Sequence, residues 1–580
     1  MNDLSPLALQ SDYASGRRQP RDVLELVYSS IERSGSLPVW LALTPFEKAL
    51  SALESAPRGP LFGVPFAVKD NIDVAGLPTT AACPEFSYMP TSNAEVVDRL
   101  LRAGAIVIGK TNLDQFATGL VGTRSPHGAC SSVFDPAYIS GGSSSGSAVA
   151  VASGQSSFAL GTDTAGSGRI PAAFNGLVGL KPTQGLLSTR GVVPACRTLD
   201  CVSLFTHRVN DAQHLLELCA AHDPLDPFSR RAPALEVALP TRPRVGVPTP
   251  ESLELFGDTE SARLFEQAAA RLERLGCELV PVDLRPFREA ADLLYAGPWV
   301  AERLAAIREF FATHEDAVHP VVRSILQSAR QYSAVDAFRG RYRLAALRRA
   351  TEPTWETMDA LVVPTAPTHY RIEEVLADPV ALNQNLGTFT NFVNLLDLSA
   401  LAVPAGFRQA GLPFGVTFIA PAFHDRALGE LGQRFLDEAP RRKVGPPGGR
   451  VWLAVAGAHL SGQPLNPELT RRGARLIATT QTAPEYRLFA LNTVPAKPGL
   501  VHAPGRTSHS IEVEVWELDE QAFGSFVANV PAPMTIGTTR LADGSTVKGF
   551  ACEPHALEGA DEISHLGGWR AFVGARSEQS

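Results

Sequence analysis

Residues Ser140 to Thr183 read SGGSSSGSAVAVASGQSSFALGTDTAGSGRIPAAFNGLVGLKPT, and this stretch decides what the chain can be. It is rich in Gly, Ser and Ala, yet AVAVASG and FALGTD carry apolar spacing, and Asp163, Arg169 and Pro171 stand among the small residues, which no flexible linker requires. A phosphate loop is the first rival, because glycine-rich turns before helices bind phosphate through backbone N–H groups. The Lys-Ser/Thr pair of that motif is missing after Gly146. Gly142 to Gly146 also satisfies G-x-S-x-G, with Ser144 as nucleophile. That elbow needs a buried strand before it, and SSVFDPAYIS (Ser131 to Ser140) is polar and broken by proline.

Outward from it, short apolar runs alternate with helical patterns: AIVIG (Ala105 to Gly109), RVGVP (Arg244 to Pro248), ELVPVDL (Glu278 to Leu284), ALVVPTAP (Ala360 to Pro367) and GVTFIAP (Gly415 to Pro421). A helix precedes the first run. Ser92 with Glu95 three residues on has the capping-box pattern, Val96, Val97, Leu100 and Leu101 make an apolar face, and Gly104 stops it. The alternation predicts an α/β fold, a sheet flanked by helices.

Near residue 440 the composition breaks. RRKVGPPGGR (Arg441 to Arg450) cannot sustain helix or strand, so the expected organisation is a catalytic domain over 1–440, a linker over 441–450 and a second domain over 451–580. In the second domain VWLAVAGAHL (Val451 to Leu460) and the period-two SIEVEVWEL (Ser510 to Leu518) read as strands of a small α+β unit. The 580 residues carry a net charge of -8, which excludes a nucleic-acid footprint. No apolar run reaches membrane-spanning length and the N-terminal stretch lacks a signal pattern, so no membrane partner and a cytoplasmic location are expected. Seven scattered cysteines without CxxC pairs read as reduced, buried thiols, with no metal site.

GGSS, GTDTAGSGRIPAA and GLVGLKPT in that order, with GVPFAVKDN (Gly63 to Asn71) upstream, resemble the amidase signature family, and the likeness runs on through TNFVNLLDLSALAVPAG (Thr390 to Gly406) to Pro421. The resemblance implies a mixed central sheet flanked by helices and a serine amidohydrolase: Ser167 as nucleophile, Ser143 after a cis peptide as bridge, Lys69 as base. Backbone N–H groups of Thr164, Ala165, Gly166 and Ser167 are the implied oxyanion hole. Each role makes chemical sense. A serine needs a base, and a neutral lysine relaying through a second serine serves. Bringing a lysine from about 10.4 to near 7 takes roughly 3 units, or about 4 kcal/mol, from burial and neighbours. Asp163 and Arg169 read as loop supports rather than substrate ligands.

The C-terminal part, through LAVAGAHLSGQPLNPEL (Leu453 to Leu469), PAKPGLVHAPGR (Pro495 to Arg506) and SIEVEVWEL, resembles the extra domain of allophanate hydrolases, with a γ-glutamylcyclotransferase-like fold implied. Allophanate is the carboxylate of urea, so a small anionic amide is the implied substrate and a cation must hold it. Tyr295 and Arg303 in LLYAGPWVAERLAA match the substrate-binding segment of those enzymes. His509, with Glu512 beside it, is the candidate in the second domain. The resemblance implies no cofactor and no metal, a homodimer, and functional coupling to a separate urea carboxylase or a biuret hydrolase. The alternatives are another small-amide amidase of the family, or a non-catalytic scaffold of a urea- or triazine-degrading assembly.

Overall fold

A computed structural model of the chain describes residues 3–35, 37–233, 237–438, 450–493, 497–503, 509–542 and 545–577. The chain forms two compact units, residues 4–439 and 440–580. The linker expected over 441–450 lies outside the described residues except for Arg450, which opens a strand.

The larger unit is built on an eleven-stranded mixed sheet. Its strands are β1 (Trp40–Leu43), β2 (Pro65–Lys69), β3 (Ile106–Thr111), β4 (Phe158–Asp163), β5 (Val178–Lys181), β6 (Cys201–Thr206), β7 (Arg244–Pro248), β8 (Glu278–Val282), β9 (Ala360–Pro364), β10 (Leu398–Phe407) and β11 (Pro413–Pro421). They lie in the order β1-β3-β2-β4-β6-β5-β10-β11-β9-β7-β8. β2 runs parallel to both β3 and β4, whereas β4, β6, β5, β10, β11 and β9 pair antiparallel in turn. Every residue of β2, β3, β4, β5, β6 and β9 is buried, as expected for strands covered on both faces. The five apolar runs singled out in the first part of the chain all contribute strands.

β2 and β4 place the site. Their register pairs Val68 with Leu160, so the ends of both strands, with Lys69 on one and Thr162–Asp163 on the other, emerge side by side. The helix Ser145–Ala152 packs on both strands, and its small side chains let Ser145 to Val151 be buried throughout.

One local expectation fails. The helix after Ser92 begins at Glu95, with Ala94 at its cap and no side-chain cap bond. Glu95 turns away to pair with Arg99 at 2.9 Å and with Arg190, so charge pairing displaces the capping box. Gly104 does end the turn, at φ +96°.

The smaller unit has a five-stranded sheet of β12 (Arg450–Val455), β13 (Arg475–Gln481), β16 (Glu512–Asp519), β17 (Met534–Arg540) and β18 (Thr546–Cys552). A second sheet joins β14 (Tyr486–Leu491), β15 (Lys497–His502) and β19 (Asp561–Glu562). β12 and β16 pair antiparallel, and both are strands expected from the sequence.

Candidate active site

Lys69, the last residue of β2, is wholly buried. Its Nζ lies 2.7 Å from Ser143 Oγ and 2.8 Å from Thr162 Oγ1. Burial pushes its ammonium down to about 7, against the opposing pull of Asp114, Asp163 and Asp200. The neighbouring Asp70 does not pair with it, and instead meets Lys110 at 3.1 Å. A lysine in this state holds a substantial neutral fraction at physiological pH and can accept a proton.

Ser143 follows a cis peptide from Gly142. A Cβ on Gly142 would stand 2.0 Å from Asp114 Oδ2 and 2.6 Å from Gly122 N, so only glycine fits beneath the bridging serine. Asp114 holds this floor together. Its N–H donates to Ser143 O at 3.0 Å, and its carboxylate accepts from the N–H groups of Val121, Gly122 and Arg124.

Ser167 sits in the loop after β4. Asp163 anchors that loop: it closes on Arg169 at 2.9 Å and accepts from Gly166 N and Gly168 N, each at 2.9 Å. Burial works to raise the Asp163 carboxyl, but Arg169 outweighs it and holds the group below the usual range. Arg169 also reaches Thr390 O and Asn394 Oδ1, both at 3.2 Å. Asp163 and Arg169 are therefore internal supports of the loop.

The anchoring corrects one member of the expected oxyanion hole. Gly166 N–H is taken by Asp163, whose Oδ1 accepts it at 2.9 Å. The N–H groups of Thr164, Ala165 and Ser167 have no protein acceptor among the described residues. They are the donors left for a ligand. Ser167 Oγ donates to Gly119 O at 3.4 Å and makes no hydrogen bond to Ser143 in this structure.

Arg303 lies on the helix Trp299–Ala306 and is 2% exposed. Its Nη1 reaches Thr118 Oγ1 at 3.2 Å and its Nη2 reaches the Tyr295 hydroxyl at 3.4 Å, while Nε has no partner. Neither Glu302 nor Glu309 pairs with it; Glu302 instead accepts from Thr198. Thr118 precedes Gly119, the acceptor of the Ser167 hydroxyl, so the structure brings Arg303, Tyr295 and Ser167 to the same short segment.

Sequence reasoning missed Thr162, which gives Lys69 its second contact, and Asp200. The Asp200 carboxyl accepts from Thr164 Oγ1 at 2.5 Å and from Ala195 N at 2.8 Å, and burial pushes it up to about 6. Thr162 lay in view within GTD, but its pairing with Lys69 needs the β2–β4 neighbourhood.

In the smaller unit, His509 is exposed and forms a backbone bridge with Glu485, and Glu512 is bound by Arg570. Neither lines a cleft there of about 260 Å³, which is lined by Gly457, His459, Glu468, Lys497, Phe526 and Phe550 among others. His459 stacks on Phe550, its ring centroid 5.2 Å away, and its Nε2 is 3.2 Å from Glu468 Oε2. The histidine of this cleft thus follows the first strand of the unit. His509 stands apart from this cleft, on the exposed surface.

Residues 40–428 match the amidase family model. The chain belongs to the amidase family. This amidase also carries, over residues 451–574, a match to the allophanate hydrolase C-terminal domain. It is 43% identical over 95% of its length to urea amidolyase of Saccharomyces cerevisiae, of which it spans 32%. Among solved structures it is similar to Kluyveromyces lactis allophanate hydrolase, with 42% identity, a TM-score of 0.72, and coverage of 97% of this amidase and 98% of that chain. A more distant likeness, to 6-aminohexanoate cyclic dimer hydrolase, has 26% identity and a TM-score of 0.68, and covers 76% of this amidase and 98% of that chain. The chain spans about a third of the length of the urea amidolyases it matches. No described helix is long and apolar enough to cross a membrane.

Proposed function

We propose that the chain hydrolyses allophanate through an acyl-enzyme on Ser167. Neutral Lys69 takes the Ser143 proton while Ser143 takes that of Ser167, once Ser167 rotates out of its long bond to Gly119 O. The Ser167 oxygen then attacks the carbamoyl carbon of H2N–CO–NH–COO⁻, and the carbonyl electron pair moves onto oxygen, facing the N–H groups of Thr164, Ala165 and Ser167. Collapse breaks the C–N bond, and ammonia leaves with the proton returned through Ser143. Water, deprotonated by the same relay, releases ⁻OOC–NH–COO⁻, which goes on to lose carbon dioxide; ammonia and carbon dioxide are the end products.

The observation that carries this reading is Arg303. A buried guanidinium without a carboxylate partner is costly unless an anion completes it. Placed against Thr118 and Tyr295, one residue from the acceptor of the Ser167 hydroxyl, it suits a carboxylate that orients the amide toward the nucleophile. The likeness to allophanate hydrolase over both units supports the same substrate. The substrate itself comes from an enzyme that carboxylates urea or deaminates biuret. A homodimer working in the cytoplasm without a cofactor completes the proposal.

The test is ammonia release by the purified full chain with allophanate, urea, biuret, malonamate and a neutral aliphatic amide. Turnover of the two carboxylate amides well above that of the neutral amides is expected. Preference for the neutral amide would refute the anionic substrate and leave the amidase chemistry.

A further inference from the structure

Arg303 is not the only buried cation here without an ion-pair partner. Arg124, in GTRSPHG on the loop after Asp114, is 1% exposed. Its Nη1 donates to Thr118 O at 3.0 Å and its Nη2 to Pro379 O at 2.6 Å, and Nε has no partner. Neither arginine meets a carboxylate among the described residues, in contrast to Arg169, which closes on Asp163. Asp114 attracts Arg124 through space without pairing with its guanidinium, its oxygens accepting from the N–H groups of Val121, Gly122 and Arg124.

The two guanidinium groups converge on one residue. Arg303 holds the Thr118 hydroxyl, Arg124 holds the Thr118 carbonyl, and they lie close enough that their charges repel. Two mutually repelling buried cations, neither in contact with a carboxylate, are costly to keep, and negative charge that arrives during the reaction offsets that cost. Attack on the amide of a singly charged anion places a second negative charge on the former carbonyl oxygen, and that added charge attracts both arginines.

We propose that Arg124 is a positioning and specificity residue of this site, which holds the Thr118–Gly119 segment and supplies the positive charge that answers the second negative charge of the tetrahedral intermediate. The inference rests on the reading of the substrate as a carboxylate amide. Interactions stronger in the transition state than in the ground state raise kcat, whereas those equal in both act on KM. Arg303, which meets the carboxylate in the ground state, therefore acts through KM. Arg124 acts through kcat, and its effect depends on the charge of the substrate.

The test uses malonamate and its neutral diamide, malonamide, with full-length wild type, Arg124→Gln and Arg124→Lys. Gln keeps a donor for a carbonyl and loses the charge; Lys keeps the charge and loses the fork. In Arg124→Gln, kcat for malonamate is expected to fall about 30-fold, with KM changed less than about threefold and malonamide turnover lowered less than about threefold. Arg124→Lys is expected to recover most of the malonamate rate. Equal losses on both substrates without rescue by lysine would make Arg124 a scaffold only and overturn the inference. If Arg124→Gln fails to fold, Arg124→Lys decides: a malonamate kcat within about threefold of wild type supports the charge role, and a larger loss shared equally by both substrates overturns it. A wild type that does not prefer malonamate overturns the anionic-substrate reading itself, and Arg124 with it.

Discussion

Replacing Lys69 with methionine should abolish activity and make the protein more stable. The lysine titrates near 7 in the folded chain and near 10.4 when unfolded. At pH 7 this difference amounts to a penalty of about 4 kcal/mol for keeping the group in place. Methionine fits the apolar surroundings, removes that penalty, and leaves Ser143 Oγ and Thr162 Oγ1 without their amine partner. Those two losses cost about 1 kcal/mol each. The net gain is about 2 kcal/mol, which for a unit of this size raises the melting temperature by about 2 °C. The pH dependence is the sharper readout. Between about pH 7 and 10.4 the folded wild type binds fewer protons at this site than the unfolded chain, so its stability rises with pH across that window. The methionine variant lacks this contribution. The wild-type penalty shrinks to about 2 kcal/mol at pH 9, where the two proteins should melt together. Calorimetry of both full chains at pH 7 and pH 9 measures the difference. A variant that melts lower at pH 7, or a gap that stays constant between the two pH values, would refute a neutral buried lysine.

The same titration predicts an acid limb in kcat/KM near pH 7, with about tenfold loss per unit below it, measured on malonamate because allophanate itself is acid-labile. A profile flat from pH 5.5 to 8 would contradict Lys69 as the base. Ser167→Ala should lose at least about 1,000-fold in kcat with an unchanged melting curve, whereas Ser144→Ala, whose hydroxyl only donates to Thr162 O at 3.2 Å, should keep most activity. The reverse pattern would move the nucleophile to Ser144. Arg303→Ala should raise KM for allophanate by about 100-fold, as expected when a buried charged hydrogen-bonding partner is lost; unchanged kinetics would take Arg303 out of the site. Asp163→Asn should destabilise the chain by about 3 kcal/mol or more, since it leaves Arg169 buried and unpaired. A melting curve equal to that of wild type would show that the pair does not anchor the loop.

Local sequence determined much of this. Runs such as RVGVP and GVTFIAP form strands because their apolar character suits a sheet covered on both faces, and that requirement acts residue by residue. The motif residues Lys69, Ser143 and Ser167 were legible through the resemblance of GVPFAVKDN, GGSS and GTDTAGSGRIPAA to the amidase signature family. What only the tertiary structure decided is how distant segments use each other's atoms. The Ser92 cap gave way to pairing of Glu95 with Arg190, 95 residues on. Gly166 N–H was withdrawn from the oxyanion donors by a turn that aims it at Asp163. Thr162 became a partner of Lys69 only through the β2–β4 register, and His459 rather than His509 occupies the cleft of the smaller unit. Sequence pattern reports periodicity and residue type, which are local. Hydrogen bonds, ion pairs and desolvation act through space, so the identity of the partner, and with it the protonation state of Lys69 and the burial of Arg124 and Arg303 without a carboxylate in contact, arises only when the chain has folded.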